Sequence, residues 1–165
     1  MGLFDRLFNS GDPTRDWPVV EGPAPAVHRR TMSFESPRFG EPLESARSLG
    51  RPDEFVWNSR KNQNCELLYA GKGLRLEFEG NRLVELTFYI APKSCPHPSF
   101  KPAQPEAPSG AVLTPGMDQR RIVELFGQPD EPGEDDVVIS HDKTTSAFFF
   151  SGEGRLDRWE LFLND

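Results

Sequence analysis

Apolar residues recur at every second position through Leu74, Leu76 and Phe78, pause at Gly80-Asn81, and resume through Val84, Leu86, Phe88 and Ile90. Period-two alternation on both sides of such a pair predicts a β-hairpin. The stretch "SAFFFSGEGRLDRWELFL" predicts a second hairpin with one more turn residue. "CELLYA" and "DVVIS" predict a strand ahead of each hairpin, and "EFVW" a further short strand in the first half. Two helices are predicted upstream of these strands. In the first, Leu43, Ala46 and Leu49 fall at helical spacing, with Pro42 suited to the first turn and Gly50 to the end. In the second, Asp118 caps, Ile122, Leu125 and Phe126 line one face, and Gly127 terminates.

These two runs look alike. "LGRPDE", Leu49 to Glu54, returns as "FGQPDE", Phe126 to Glu131, and in both a proline two residues after the glycine forbids further helix. Aligning Arg82-Leu83 with Arg155-Leu156 sets Leu86, Phe88 and Ile90 against Trp159, Leu161 and Leu163. The alternate face then matches as well, with Leu83, Glu85, Thr87 and Tyr89 against Leu156, Arg158, Glu160 and Phe162. A slip of one residue would exchange the faces, so agreement on both indicates an internal repeat. The expected fold is therefore α+β, with two tandem repeats, each a helix packed on a three- or four-stranded antiparallel meander. The expected organisation is an amphipathic turn and Pro-rich lead-in over 1–31, repeat 1 over 32–91, a Pro-rich linker over 92–111 and repeat 2 over 112–165.

The order of short helix, L-G-x-P stop, aromatic strand and apolar hairpin resembles the outer-membrane small protein A/OmlA (BamE-like) lipoprotein family. The tandem arrangement resembles the β-lactamase inhibitory proteins. The resemblance implies a fold whose members bind proteins and are not enzymes. The chain departs from it in lacking an export signal and a lipid-attachment cysteine near its start, so neither envelope assembly nor lactamase inhibition carries over.

Charge narrows the partners. The formal net charge is −7, which opposes binding to nucleic acid or to an anionic membrane surface. The excess sits in the second half, where Val112 to Asp165 holds 12 acidic and 5 basic side chains against 9 and 8 from Met32 to Ala91. No apolar run is long enough to span a bilayer. Asp5 and Arg6 interrupt the only candidate signal segment, so a cytoplasmic setting is expected, with Cys65 and Cys95 as reduced thiols.

Chemistry-bearing residues are sparse. His28, His97 and His141 lack ligand spacing, and Cys95 with His97 offers two ligands where a zinc site needs about four. No metal and no cofactor is expected. Cys65 or His141 is the nucleophile or base that a small hydrolase or transferase would use, and a small-molecule sensor would use a pocket between the repeats; neither has a supporting motif. The preferred expectation is a non-enzymatic scaffold that binds another protein, as an inhibitor, immunity or assembly-type factor. Its binding residues are expected to be Tyr89 and Phe162, aromatics on the sheet face turned away from the helices, together with the acidic run Asp130, Glu131, Glu134, Asp135 and Asp136. Leu3, Phe4, Leu7 and Phe8 form an apolar stripe at the N-terminus, expected to pack on its own domain.

Overall fold

Gly80 and Asn81 both adopt positive φ, 55° and 62°. That is the backbone a two-residue turn needs to match the twist of the strands it joins. In the computed structural model, which describes residues 11–28, 32–95, 97–107 and 109–164, this turn joins two of eight strands. They are β1 (Glu54–Ser59), β2 (Asn64–Tyr69), β3 (Leu74–Glu79), β4 (Arg82–Tyr89), β5 (Glu131–Pro132), β6 (Asp136–Ser140), β7 (Thr144–Phe150) and β8 (Leu156–Leu163). All neighbours are antiparallel, in the order β1-β2-β3-β4-β8-β7-β6-β5.

This order corrects the expected architecture. The chain does not form two helix-on-meander repeats, because Glu85–Tyr89 of β4 pair with Arg158–Phe162 of β8 and fuse both runs of strands into one continuous sheet. Leu86 stands opposite Leu161 and Phe88 opposite Trp159 across that seam. A separate meander would leave β4 as an unpaired edge; pairing it with β8 satisfies its outer backbone groups and joins the apolar faces of both runs into one.

The helical elements are smaller than expected. Leu43–Leu49 is a 3-10 helix, and its buried residues Leu43, Ala46 and Leu49 explain why: a strict spacing of three matches three residues per turn better than 3.6. Its start is tied to the β3–β4 turn, where the Asn81 side chain accepts a hydrogen bond from the Leu43 N–H at 3.1 Å. The second helix, α1 (Gln119–Phe126), is a true α-helix, and Asp118 caps it by accepting from the Arg121 N–H at 2.9 Å.

One sheet face carries the core. Leu67, Leu74, Leu76, Phe78, Leu86, Phe88, Phe148, Trp159 and Leu161 are all fully buried. Across the seam, Trp159 stacks between Phe88 at 5.3 Å and Phe148 at 5.5 Å, while Phe34 and Phe126 close on this stack from the covering segments. Ala103 and Ala107 of the proline-rich stretch are buried in the same core.

Leu83 and Leu156, expected on the opposite face, are also fully buried in the core. The reason is a pair of β-bulges. Glu77 pairs with Glu85 but Phe78 with Leu83, so Val84 is an extra residue; likewise Phe149 pairs with Arg158 but Phe150 with Leu156, leaving Asp157 extra. Each insertion reverses the alternation beyond it and returns the leucine to the core side.

Candidate functional site

The second face of the sheet combines aromatic rings with charges. Register sets Tyr89 of β4 opposite Arg158 of β8, Arg158 opposite Phe149 of β7, and Phe149 opposite Asp136 of β6. Period-two alternation turns all four away from the core, in one row about 14 Å across. Within it, the Arg158 guanidinium lies 3.9 Å over the Phe149 ring, and its Nε donates to Glu160 at 2.6 Å. Planar stacking and a charge-assisted bond thus hold one side chain in a fixed orientation.

Next to this row lies a denser charged group. Glu66, Glu77 and Glu85 are direct cross-strand neighbours on β2, β3 and β4. Arg75 is their counter-ion, reaching Glu66 at 3.6 Å and bonding to Glu85 and to Thr87, the latter at 3.2 Å. Burial works against the Arg75 charge, but Tyr89, Glu85 and Glu66 outweigh it and hold the guanidinium more firmly protonated. Glu77 goes the other way: burial first, and then Glu85 and Glu66, raise its pKa. Like carboxylates facing one another across strands destabilise a sheet, and one arginine compensates three of them only in part.

A cavity of about 320 Å³ opens between this group and Cys95, His97 and Pro98. Its apolar wall is Val56, Leu68 and Pro98; its polar groups are Glu54, Glu66, Arg75, Tyr89, Cys95 and His97. His97 Nε2 lies 3.6 Å from the Glu54 carboxylate, and Tyr89 meets Phe100 edge-on at 6.3 Å. Burial raises the Tyr89 pKa against the pull of Arg75. A larger groove of about 640 Å³ runs between Val20–Ala24 and Lys101–Pro105, where the Lys72 ammonium donates to the carbonyls of Val20 and Gly22, both at 3.0 Å.

Of the residues singled out from sequence, Tyr89 and Phe162 share the face opposite the core and are half-buried. They are not neighbours: Phe162 stands opposite Glu85 and Tyr89 opposite Arg158, about 14 Å apart along the seam. The acidic run lies at the β5–β6 edge. Asp130 accepts from the Ser140 N–H at 2.7 Å, the Glu134 carbonyl from Gln119 at 2.8 Å, and the Asp135 carbonyl from the Phe150 N–H at 2.9 Å. Glu131 pairs with Val138 through its backbone. Only Asp136 joins the aromatic row. Arg75, Phe149 and Arg158 were missed by sequence reasoning; the parity that placed Phe162 also places Arg158, but the pairing with β7 has no local signal.

Cys65 lies in the core, and burial, with Glu66 and Glu77, pushes its thiol up to about 12. His141 Nε2 lies 3.1 Å from the Ser146 hydroxyl, which is fully buried, and desolvation lowers the histidine pKa. Among the described residues no group of three or more His, Cys, Asp or Glu is arranged to hold a metal ion, and no helix is long and apolar enough to cross a membrane. The stripe at Leu3, Phe4, Leu7 and Phe8 lies outside the described residues.

The chain matches no known protein family, no curated protein and no solved structure.

Proposed function

We propose that the protein is a non-enzymatic protein-binding module whose contact surface is the sheet face opposite the core. The observation that carries this reading is the row Tyr89, Arg158, Phe149 and Asp136: two half-exposed rings and a stacked guanidinium on a rigid scaffold. Aromatic and arginine side chains dominate the energetics of protein interfaces, and groups held in place lose little entropy on binding. Phe162 extends this surface along β8. The surrounding carboxylates add selectivity for a partner of positive charge. Cytoplasmic residence belongs to the same reading, supported by two cysteines that are both free and buried.

The test is site-specific photo-crosslinking in the producing cell. A benzophenone amino acid at Phe162 should give a discrete adduct with one protein, reduced by Tyr89→Ala or Arg158→Ala in a chain shown by circular dichroism to remain folded. The same probe at Val19, which is exposed on another part of the surface, should not. Absence of an adduct at Phe162, or identical adducts at both positions, would count against the reading.

A further inference from the structure

The two ends of the sheet are finished differently. β5 is two residues long and ends in Pro132, which has no N–H to offer. A short, proline-bearing edge is a common protection against pairing with other chains. At the other end, β1 has six residues, and Glu54 to Trp57 pair in regular register with Leu68 to Cys65. Among the described residues no other strand lies on the outer side of β1. Alternate residues of this run direct N–H and C=O groups outwards, and Val56 keeps 48% of its surface exposed. The cavity described above begins on this strand, at Glu54 and Val56.

We propose that β1 accepts an added strand from a partner protein and that the cavity takes a lysine or arginine side chain of that strand. The inference rests on the protein-binding reading and adds where and how the partner docks. Strand addition supplies backbone hydrogen bonds, and a pocket for every second side chain supplies selectivity. A residue on the added strand beside Glu54 and Val56 stands about 5 Å away, within reach of the cavity for a long side chain. Val56, Leu68 and Pro98 suit the aliphatic stem, and Glu54 on the edge strand meets the charge, two strands away from the Arg75 guanidinium that also lines the cavity. Glu54 suits this role because Glu66 and Glu85 are already engaged by Arg75, whereas among the described residues the ion pair of Glu54 is with His97, at 3.6 Å.

The probe is the peptide acetyl-Thr-Val-Lys-Val-Thr-amide, titrated into the full-length, nitrogen-15-labelled protein and followed by amide chemical shifts. Saturable shifts are expected in β1 and at Leu68, Tyr89 and His97, with affinity about tenfold above that of the Lys→Glu peptide. Glu54→Gln should narrow that preference. Of two peptides N-methylated at alternate positions, one should still bind and the other not, since only one set of N–H groups faces β1. The proposal is overturned if no β1 amide shifts saturably, if both N-methylated peptides bind like the parent, or if β1 amides shift with protein concentration alone, which would assign the edge to a second copy. Failure here with a discrete crosslink at Phe162 would remove the edge and leave the binding face standing.

Discussion

Arg158 is clamped between Phe149, whose ring lies 3.9 Å beneath its guanidinium, and Glu160, which accepts from its Nε at 2.6 Å. The pair orders the open face at the seam where the two runs of strands meet. Arg158→Ala removes the stacking and leaves the largely buried Glu160 carboxylate without this donor, so we expect a loss of about 1–2 kcal/mol in urea unfolding. Arg158→Lys should lose less, since it keeps the charge but not the planar fork.

Continuity of the sheet has a thermodynamic signature. Because Trp159 stacks on Phe88 and Phe148 across three strands, both halves should unfold together. Far-ultraviolet circular dichroism and tryptophan fluorescence are expected to report one coincident transition. Phe88→Ala should lower its midpoint by the equivalent of about 3–5 kcal/mol without splitting it. Two separate transitions would show that β4 and β8 do not couple the halves.

Glu77 offers a test with a definite sign. Its pKa is raised in the folded chain by burial and by Glu85 and Glu66. A carboxyl with a raised folded pKa favours folding when protonated, and that contribution is lost as pH rises through the folded pKa. Glu77→Gln should therefore be more stable than the parent at about pH 7, with the difference closing as pH falls below the ordinary carboxylate range near 4.3. Urea midpoints at the two pH values decide it.

The Cys65 thiol, buried and pushed up to about 12, should resist alkylation in the native protein. Iodoacetamide labelling followed by peptide mass spectrometry should find Cys65 modified only after unfolding. Rapid native labelling would show that β2 opens far more readily than its packing implies.

Asn81 combines two tasks, a φ of 62° in the turn and acceptance of the Leu43 N–H. Asn81→Ala should lose both, at about 1–2 kcal/mol, and Asn81→Gly only the second, so the glycine variant should be the more stable in thermal melts.

Local patterning made most of the strands legible. The alternation of Leu74 to Phe78 and Leu86 to Ile90, and the glycine-asparagine turn between them, are properties of adjacent residues. So is the parity that turned Tyr89 and Phe162 away from the core. What escaped depends on distant segments. Pairing of β4 with β8 joins residues from Tyr89–Arg158 to Glu85–Phe162, 69 to 77 apart in the chain, and nothing in either strand names its neighbour. Val84 and Asp157 do not look like bulges, so Leu83 and Leu156 were assigned to the wrong face. The row from Asp136 to Tyr89 follows only once four strands are in register. Leu43, Ala46 and Leu49 carried their own correction, since an unbroken spacing of three is the 3-10 pattern.

The seam between β4 and β8 also bears on synthesis. β8 follows the other described strands, so on the ribosome the first four strands emerge and wait with the inner edge of β4 unpaired and with Leu86 and Phe88 lacking their neighbours Leu161 and Trp159. Until β8 arrives, that edge is a template for any other extended chain nearby. The strand that closes the sheet is thus its safeguard against misassembly, and a nascent chain stalled before Leu156 is the form most in need of a chaperone.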